Sequence, residues 1–458
     1  MKCVAKRGWY NALMRRFLTD TSRTFEETPL RPHIALGTPE MRLVKAYPSV
    51  TYQQVVGFGA ALTEASGYVF AHMDRETQGE FLDLCFGSEG NRYSLCRLSI
   101  QSCDFSLGPR AYMARRDTSL SSFSIDDDWA YVLPLVKAAQ AVNPSLQFLA
   151  TPWSPPAWAK TNFMMKYGGH LRRGSYEIWA QMIAKALLAY KAEGVSIDRI
   201  TVQNEPQARQ IWESCLFSAH QERSFLHDAL KPALAEAGLG HVKTLVWDHN
   251  KESMLDRAAA YIVDDTYAAD LDGVAFHWYS GDHFEALRAT REIIGPDREL
   301  IFSEGCDFYS EGSTWWELPH AEHYAREIIG DLEAGTNGVI DWNILLDSNG
   351  GPNHVGNFCD APIMYDIEAK RMNVRLPFYY IGHFSRFIQP GARRFLTTRY
   401  TTDLETCGFA NPDGTFALVV LNRTDNAIDF DLTLPGGISG ALIAHVDAPV
   451  HSIQTICW

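Results

Sequence analysis

The sequence predicts a (β/α)8 barrel with a small β-sandwich side domain, on three observations: eight short apolar runs, stretches of helical periodicity between them, and closely spaced strand signals after Pro390-Gly391. The runs are continuous rather than alternating, as parallel strands covered on both faces require. A chain of 458 residues exceeds an average domain, and a barrel with insertions absorbs most of that length.

Along the chain, residues 1–50 fit neither pattern, and Met41–Ala46 is expected to supply one strand beside the C-terminal β region. The barrel is expected over 51–388, with strands in Gln54–Gly59, Tyr93–Ile100, Leu146–Thr151, Asp198–Gln203, Val242–Trp247, Gly273–Trp278, Leu300–Ser303 and Val339–Ile344. Tyr176–Glu193 is the clearest helix: Trp179, Met182, Ile183, Ala186, Leu187 and Tyr190 recur at helical spacing until Gly194 stops them. The side domain, 389–458, contains strands such as Phe416–Leu421 and Ile428–Leu434, punctuated by Asn411-Pro412-Asp413-Gly414 and Pro435-Gly436-Gly437.

Composition narrows the function. With 46% hydrophobic and 21% charged residues, the chain can bury a sizeable core. Its formal charge of -14, with Lys and Arg scattered, argues against nucleic acid and against anionic membranes. No run is apolar enough for a transmembrane segment, and Met1-Lys2-Cys3-Val4-Ala5-Lys6-Arg7-Gly8 leads into no apolar stretch, so a cytoplasmic protein is expected. Nine cysteines without regular spacing suit reduced thiols better than a disulfide framework, and the absence of a CxxC pair argues against zinc.

In barrel enzymes the chemistry lies just after the strands. After the fourth run comes Val202-Gln203-Asn204-Glu205-Pro206, and after the seventh Phe302-Ser303-Glu304-Gly305-Cys306. Strands four and seven lie nearly across a closed barrel, so these glutamates can flank a sugar. That is the arrangement retaining glycoside hydrolysis uses: Glu304 attacks the anomeric carbon and Glu205 protonates the leaving oxygen. The charge on Glu304 is expected to raise the pKa of Glu205 and keep its proton in place. Asn204 is placed to bond the sugar 2-hydroxyl. A lone Glu at a strand end is more often a salt-bridge partner or helix cap, but Trp153, Trp278 and Trp342 also follow strand runs, joined by Asp104, His277, Tyr279 and Asn357. Aromatic platforms with short polar groups suit a pyranose.

Other signals are weaker. Gly57-Phe58-Gly59 lacks the third small residue of a dinucleotide fingerprint, since Leu62 stands there. A metal site from Asp248-His249 and His277 is set aside because the first strand lacks an HxH, so neither metal nor organic cofactor is expected. Cys306 reads as a small buried apolar residue. Trp315-Trp316 reads equally well as a stacking platform or the start of a helix.

Several motifs resemble glycoside hydrolase family 30, which contains the glucosylceramidases: Gly57-Phe58-Gly59-Ala60-Ala61-Leu62-Thr63-Glu64-Ala65, Pro152-Trp153-Ser154-Pro155-Pro156, Asn204-Glu205-Pro206, His277-Trp278-Tyr279, Ser303-Glu304-Gly305-Cys306, Asp341-Trp342-Asn343 and Asn357-Phe358-Cys359-Asp360. The resemblance implies that Glu205 is acid/base and Glu304 nucleophile. It further implies that Asp104, Trp153, Asn204, Trp342 and Asn357 hold glucose hydroxyls, that His277 and Tyr279 flank the nucleophile, and that Arg97 supports the carboxylates from strand two. The implied fold is a barrel with a β-sandwich made from both chain ends. The expected substrate is a small soluble β-glycoside or glycolipid head group, cleaved from its end by a monomer or homodimer. The alternatives are β-xylosides, β-fucosides, β-glucuronides or β-1,6-glucans with the same chemistry, or a non-catalytic carbohydrate-binding barrel.

Overall fold

The computed structural model describes residues 14–34, 41–309, 316–434 and 442–458. Two compact units divide the described chain, one over residues 58–309 and 334–374, the other over 14–57, 316–333 and 375–458.

The first unit contains the predicted barrel. Its eight strands are Gly57–Ala60, Leu95–Ile100, Gln147–Pro152, Arg199–Thr201, Lys243–Asn250, Gly273–His277, Glu299–Glu304 and Gly338–Asp341, in sequential order around one sheet. A parallel bridge between Ala61 and Arg97 closes the ring between strands one and two. All eight fall on the predicted runs. Strand four is cut to three residues because the chain turns at Val202, whose amide donates to the Leu245 carbonyl. The helix predicted over Tyr176–Glu193 spans Tyr176–Ala192.

Two irregularities shape the rim. Opposite strand six, pairing slips from Ala275–Trp247 to Phe276–His249, leaving Asp248 as an extra residue in strand five. It slips again from Phe276–Phe302 to His277–Glu304, leaving Ser303 extra in strand seven. Such bulges redirect the side chains around them. Here both extra residues turn toward each other, and Ser303 Oγ donates to Asp248 Oδ1 at 2.6 Å.

The second unit is a ten-stranded sheet around a core that includes Val44, Phe395, Leu418, Phe430, Val446 and Ile456. Both chain ends build it: Met14–Thr19 pairs antiparallel with Ser452–Cys457, and Leu43–Gln54 lies between Arg393–Arg399 and Ile428–Leu434. The expected strand at Met41–Ala46 is thus the start of a longer one, whose second half is largely exposed and gives no apolar signal. Helices Glu317–Glu333 and Leu376–Ser385 belong to this unit, the latter through His383, hydrogen-bonded to the hydroxyls of Thr19 and Thr455 at 2.8 and 2.9 Å. Trp316 stacks on His320 at the start of the first of these helices, whereas Trp315 and the Pro435-Gly436-Gly437 turn lie outside the described residues. Among the described residues, no helix is long and apolar enough to cross a membrane.

Candidate active site

Arg97, fully buried on strand two, organises the rim. Its guanidinium donates to Glu304 Oε2 at 2.5 Å, Asp248 Oδ2 at 2.8 Å and Asn204 Oδ1 at 2.9 Å, so three strand ends are tied to one planar fork. Asp248 is saturated from behind by Thr201, Ser303 and His277. Burial opposes its charge, but Arg97 and these donors hold its carboxyl far below the usual range. Glu304 receives a second donor on its other oxygen, the Tyr279 hydroxyl at 3.0 Å.

Glu205 follows the short fourth strand in the left-handed region, φ 45°, where a residue with a Cβ is strained unless its surroundings hold it. Its amide donates to the Asp248 carbonyl and its carbonyl accepts from Ala208, both at 2.9 Å. The carboxyl turns toward two imidazoles: His277 Nδ1 lies 3.5 Å and His249 Nδ1 3.8 Å from Oε1. The same His277 nitrogen lies 3.8 Å from Glu304 Oε1, so one ring stands between the two carboxyls. Asp248 Oδ1, 3.1 Å from Nε2, fixes the far side of that ring.

The charge balance differs from the sequence expectation. Burial pulls the His277 pKa down, but the Glu304 charge, the bond to Asp248 and the close Glu205 carboxyl overcome this and carry it up to about 9. An imidazolium there brings Glu205 below its ordinary value in spite of burial. Burial leaves Glu304 above its own, opposed by His277 and Arg97. The expected order, with Glu205 raised, is therefore reversed at rest. The cause is a histidine whose position between the carboxyls no spacing rule reveals.

These groups open into a cavity of about 310 Å³. Asp104, Trp153, Asn204, Glu205, Tyr279, Glu304, Trp342 and Asn357, all singled out from the sequence, line it. Trp153 and Trp342 stack with ring centres 5.2 Å apart, with the Arg97 guanidinium over both. Asp104 accepts from Asn353 and Asn357 at 3.3 and 3.1 Å. Burial, then the Glu304 charge, push it up to about 7, so near neutral pH it can donate or accept toward a hydroxyl.

His277 and Arg97 sit behind the lining and act on the carboxyls rather than forming the wall. Trp278 is core and not a platform: it packs on Phe302, and a Cβ at Gly305 would come within 2.7 Å of its ring. Cys306, expected to be merely buried, reaches the wall beside Cys359, its Sγ 3.6 Å from the Tyr279 hydroxyl. The sequence reading missed Gln210, Trp212, His249, Asn250 and Phe308 as lining residues. His249 was legible only as half of the metal site set aside above, yet Glu205, His249 and His277 each offer a ligand atom within 4.8 Å of the others.

A closed β/α barrel with paired glutamates after strands four and seven, beside stacked tryptophans and short polar groups, defines an O-glycosyl hydrolase. The chain belongs to glycosyl hydrolase family 30: residues 55–388 match its TIM-barrel domain and 391–456 its β-sandwich domain. It is 34% identical to lysosomal acid glucosylceramidase of Mus musculus over 91% of this chain and 83% of that protein. The crystal structure of SrfJ from Salmonella typhimurium superposes with a TM-score of 0.94 at 37% identity, covering 98% of this chain and 99% of that one. An endo-β1,6-glucanase, BT3312, superposes with a TM-score of 0.85 at 28% identity, covering 98% and 99%.

Proposed function

We propose that the protein is a retaining exo-β-glycosidase acting on terminal β-D-glucosides, either small soluble β-glucosides or glycolipid head groups. The observation that carries this reading is the pair of glutamates sharing His277 at the wall of a monosaccharide-sized cavity, with Glu304 oriented by Arg97 and Tyr279. Glu304 attacks the anomeric carbon and forms a glycosyl ester, while Glu205 gives the leaving oxygen its proton and then deprotonates the incoming water. At rest His277 holds that proton, with Asp248 stabilising the charge on its ring; it passes the proton to Glu205 across their 3.5 Å contact as the sugar binds, and takes it back once Glu205 has deprotonated the water. The amide nitrogen of Asn204, whose oxygen is taken by Arg97, is directed to the sugar 2-hydroxyl.

Hydrolysis of a panel of 4-nitrophenyl β-glycosides, with the first-formed anomer followed by NMR, tests the reading. Turnover of the β-glucoside with initial β-glucose is expected. Initial α-glucose would overturn the retaining mechanism, and preference for a β-xyloside, β-fucoside, β-glucuronide or 1,6-linked glucan would replace the substrate. The 1,6-glucan arm is included because of the likeness to BT3312. Sugar binding without turnover on any of them would leave a carbohydrate-binding barrel.

A further inference from the structure

We propose that Glu205, His249 and His277 form a binding site for one divalent transition cation of zinc or copper type, which takes the place of the acid's proton and reversibly blocks the enzyme. The geometry is that of a three-ligand site facing an open cavity. Two imidazole nitrogens, both Nδ1, converge on one carboxylate oxygen from 3.5 and 3.8 Å, and all three ligand atoms lie within 4.8 Å of one another. Both nitrogens are buried without a hydrogen-bond partner, and the His277 ring is fully buried. Two histidines and a glutamate with an open fourth position form a donor set zinc favours, and small movements bring such atoms to about 2.0–2.2 Å from an ion.

The surroundings favour a cation. Asp248 bonds the His277 nitrogen opposite the proposed ligand atom at 3.1 Å, the carboxylate–histidine arrangement that fixes a metal-binding ring and raises its basicity. Glu205, Glu304 and Asp248 crowd the region with carboxylates, and Arg97 is the permanent cation touching two of them. Imidazole donors select zinc, copper, nickel and cobalt over magnesium and calcium, which prefer all-oxygen shells. On binding, the ion takes the lone pairs of the two Nδ1 atoms and of Glu205 Oε1, and any proton these atoms carry passes to solvent. Inhibition rests on the glycosidase reading above; binding itself does not.

Cobalt titration of the untagged full-length protein tests the site without reference to activity. A visible spectrum of four-coordinate cobalt is expected, free of thiolate charge-transfer bands and lost on addition of zinc. Magnesium and calcium should leave the protein spectrally unchanged. His249→Ala and His249→Gln, both with cooperative unfolding checked, should weaken cobalt and zinc binding at least tenfold. In the wild type, zinc should abolish aryl β-glycoside hydrolysis and EDTA should restore it. Equal binding by both His249 variants would overturn the proposal, as would a thiolate band marking Cys306 and Cys359 as the ligands, or no binding at all. Cobalt binding in a protein that hydrolyses no glycoside would sink the functional reading and leave the cation site standing.

Discussion

The barrel carries a buried ion network at each end of its strands, and the two are built to opposite purposes. At the start of the strands, Arg199 forks onto Glu299 at 2.5 and 3.0 Å, Lys243 reaches the same carboxylate at 2.5 Å, and Gln147 accepts from Arg199 at 2.8 Å. Two cations enclose one anion, and both carboxylate oxygens are spent on neighbours. At the finish, Arg97 faces Asp248 and Glu304, with Glu205 close by and His277 between. Negative charge exceeds permanent positive charge there, and carboxyl oxygens remain directed into the cavity. Closed networks stabilise; networks left open toward a cavity can react.

Substitutions at the two ends should therefore fail differently. The largest effect is expected for Glu304→Gln, a kcat loss on the order of 10⁵-fold with little change in melting temperature. Glu205→Gln removes only proton transfer, so a loss of about 10²–10⁴-fold is expected with glycosides of poor leaving groups. In that variant azide should rescue substrates with good leaving groups and give the β-glycosyl azide, which Glu304→Gln should not. If both variants kept wild-type rates, the roles assigned to the finishing end would be wrong. At the starting end, Arg199→Met leaves Glu299 buried with one half-exposed partner, and a stability loss of about 4 kcal/mol is expected in urea unfolding. Its kcat/KM at a temperature where it stays folded should change less than about twofold, well under the tenfold that 1.4 kcal/mol would represent.

The same contrast explains what the sequence disclosed. The barrel strands announced themselves because both faces are buried and the apolar runs are unbroken, as in Leu300, Ile301 and Phe302. Glu205 and Glu304 were legible because strand ends are where a barrel exposes chemistry. The Asp248 and Ser303 bulges were not, since one extra residue in a strand leaves the apolar pattern intact while changing what each following side chain faces. His249 and the reversed proton order of the carboxyls follow from those bulges, so they became visible only in three dimensions. The N-terminal strands were obscured for another reason: Leu43–Gln54 is half exposed, and its partners lie hundreds of residues away.

Stability against pH sharpens the comparison. The folded-state pKa of His277 is raised from 6.5 to about 9, so its contribution is complete below pH 6.5 and is lost as pH rises through 9. The shift corresponds to about 3 kcal/mol. Glu299 is lowered: burial opposes its charge, but Arg199 and Lys243 prevail, so its contribution is present above its ordinary value and lost in acid. Of these two groups only His277 should weaken the fold in alkali. Melting temperatures between pH 6 and 10 should fall in the wild type and flatten in His277→Gln; an equal fall in both would place the alkaline transition elsewhere.

Under the proposed mechanism, the smallest effect separates orientation from charge at Glu304. Tyr279 donates to Glu304 Oε1 at 3.0 Å while Arg97 holds Oε2 at 2.5 Å, so the two donors fix the carboxylate plane from different sides. Arg97 is fully buried and always charged, whereas Tyr279 is 42% exposed and neutral. Removing the phenol oxygen in Tyr279→Phe leaves the ion pair intact and costs one hydrogen bond of about 1 kcal/mol, a kcat decrease of roughly fivefold. Because the ester consumes the charge on Glu304, the bond is stronger to the free carboxylate than to the intermediate. Its loss should slow glycosylation less than deglycosylation, in which Glu304 leaves as an anion and regains the donor. Pre-steady-state kinetics with a 2,4-dinitrophenyl glycoside should therefore show a larger burst in Tyr279→Phe than in the wild type; a smaller one would mean that the phenol chiefly positions the attacking oxygen.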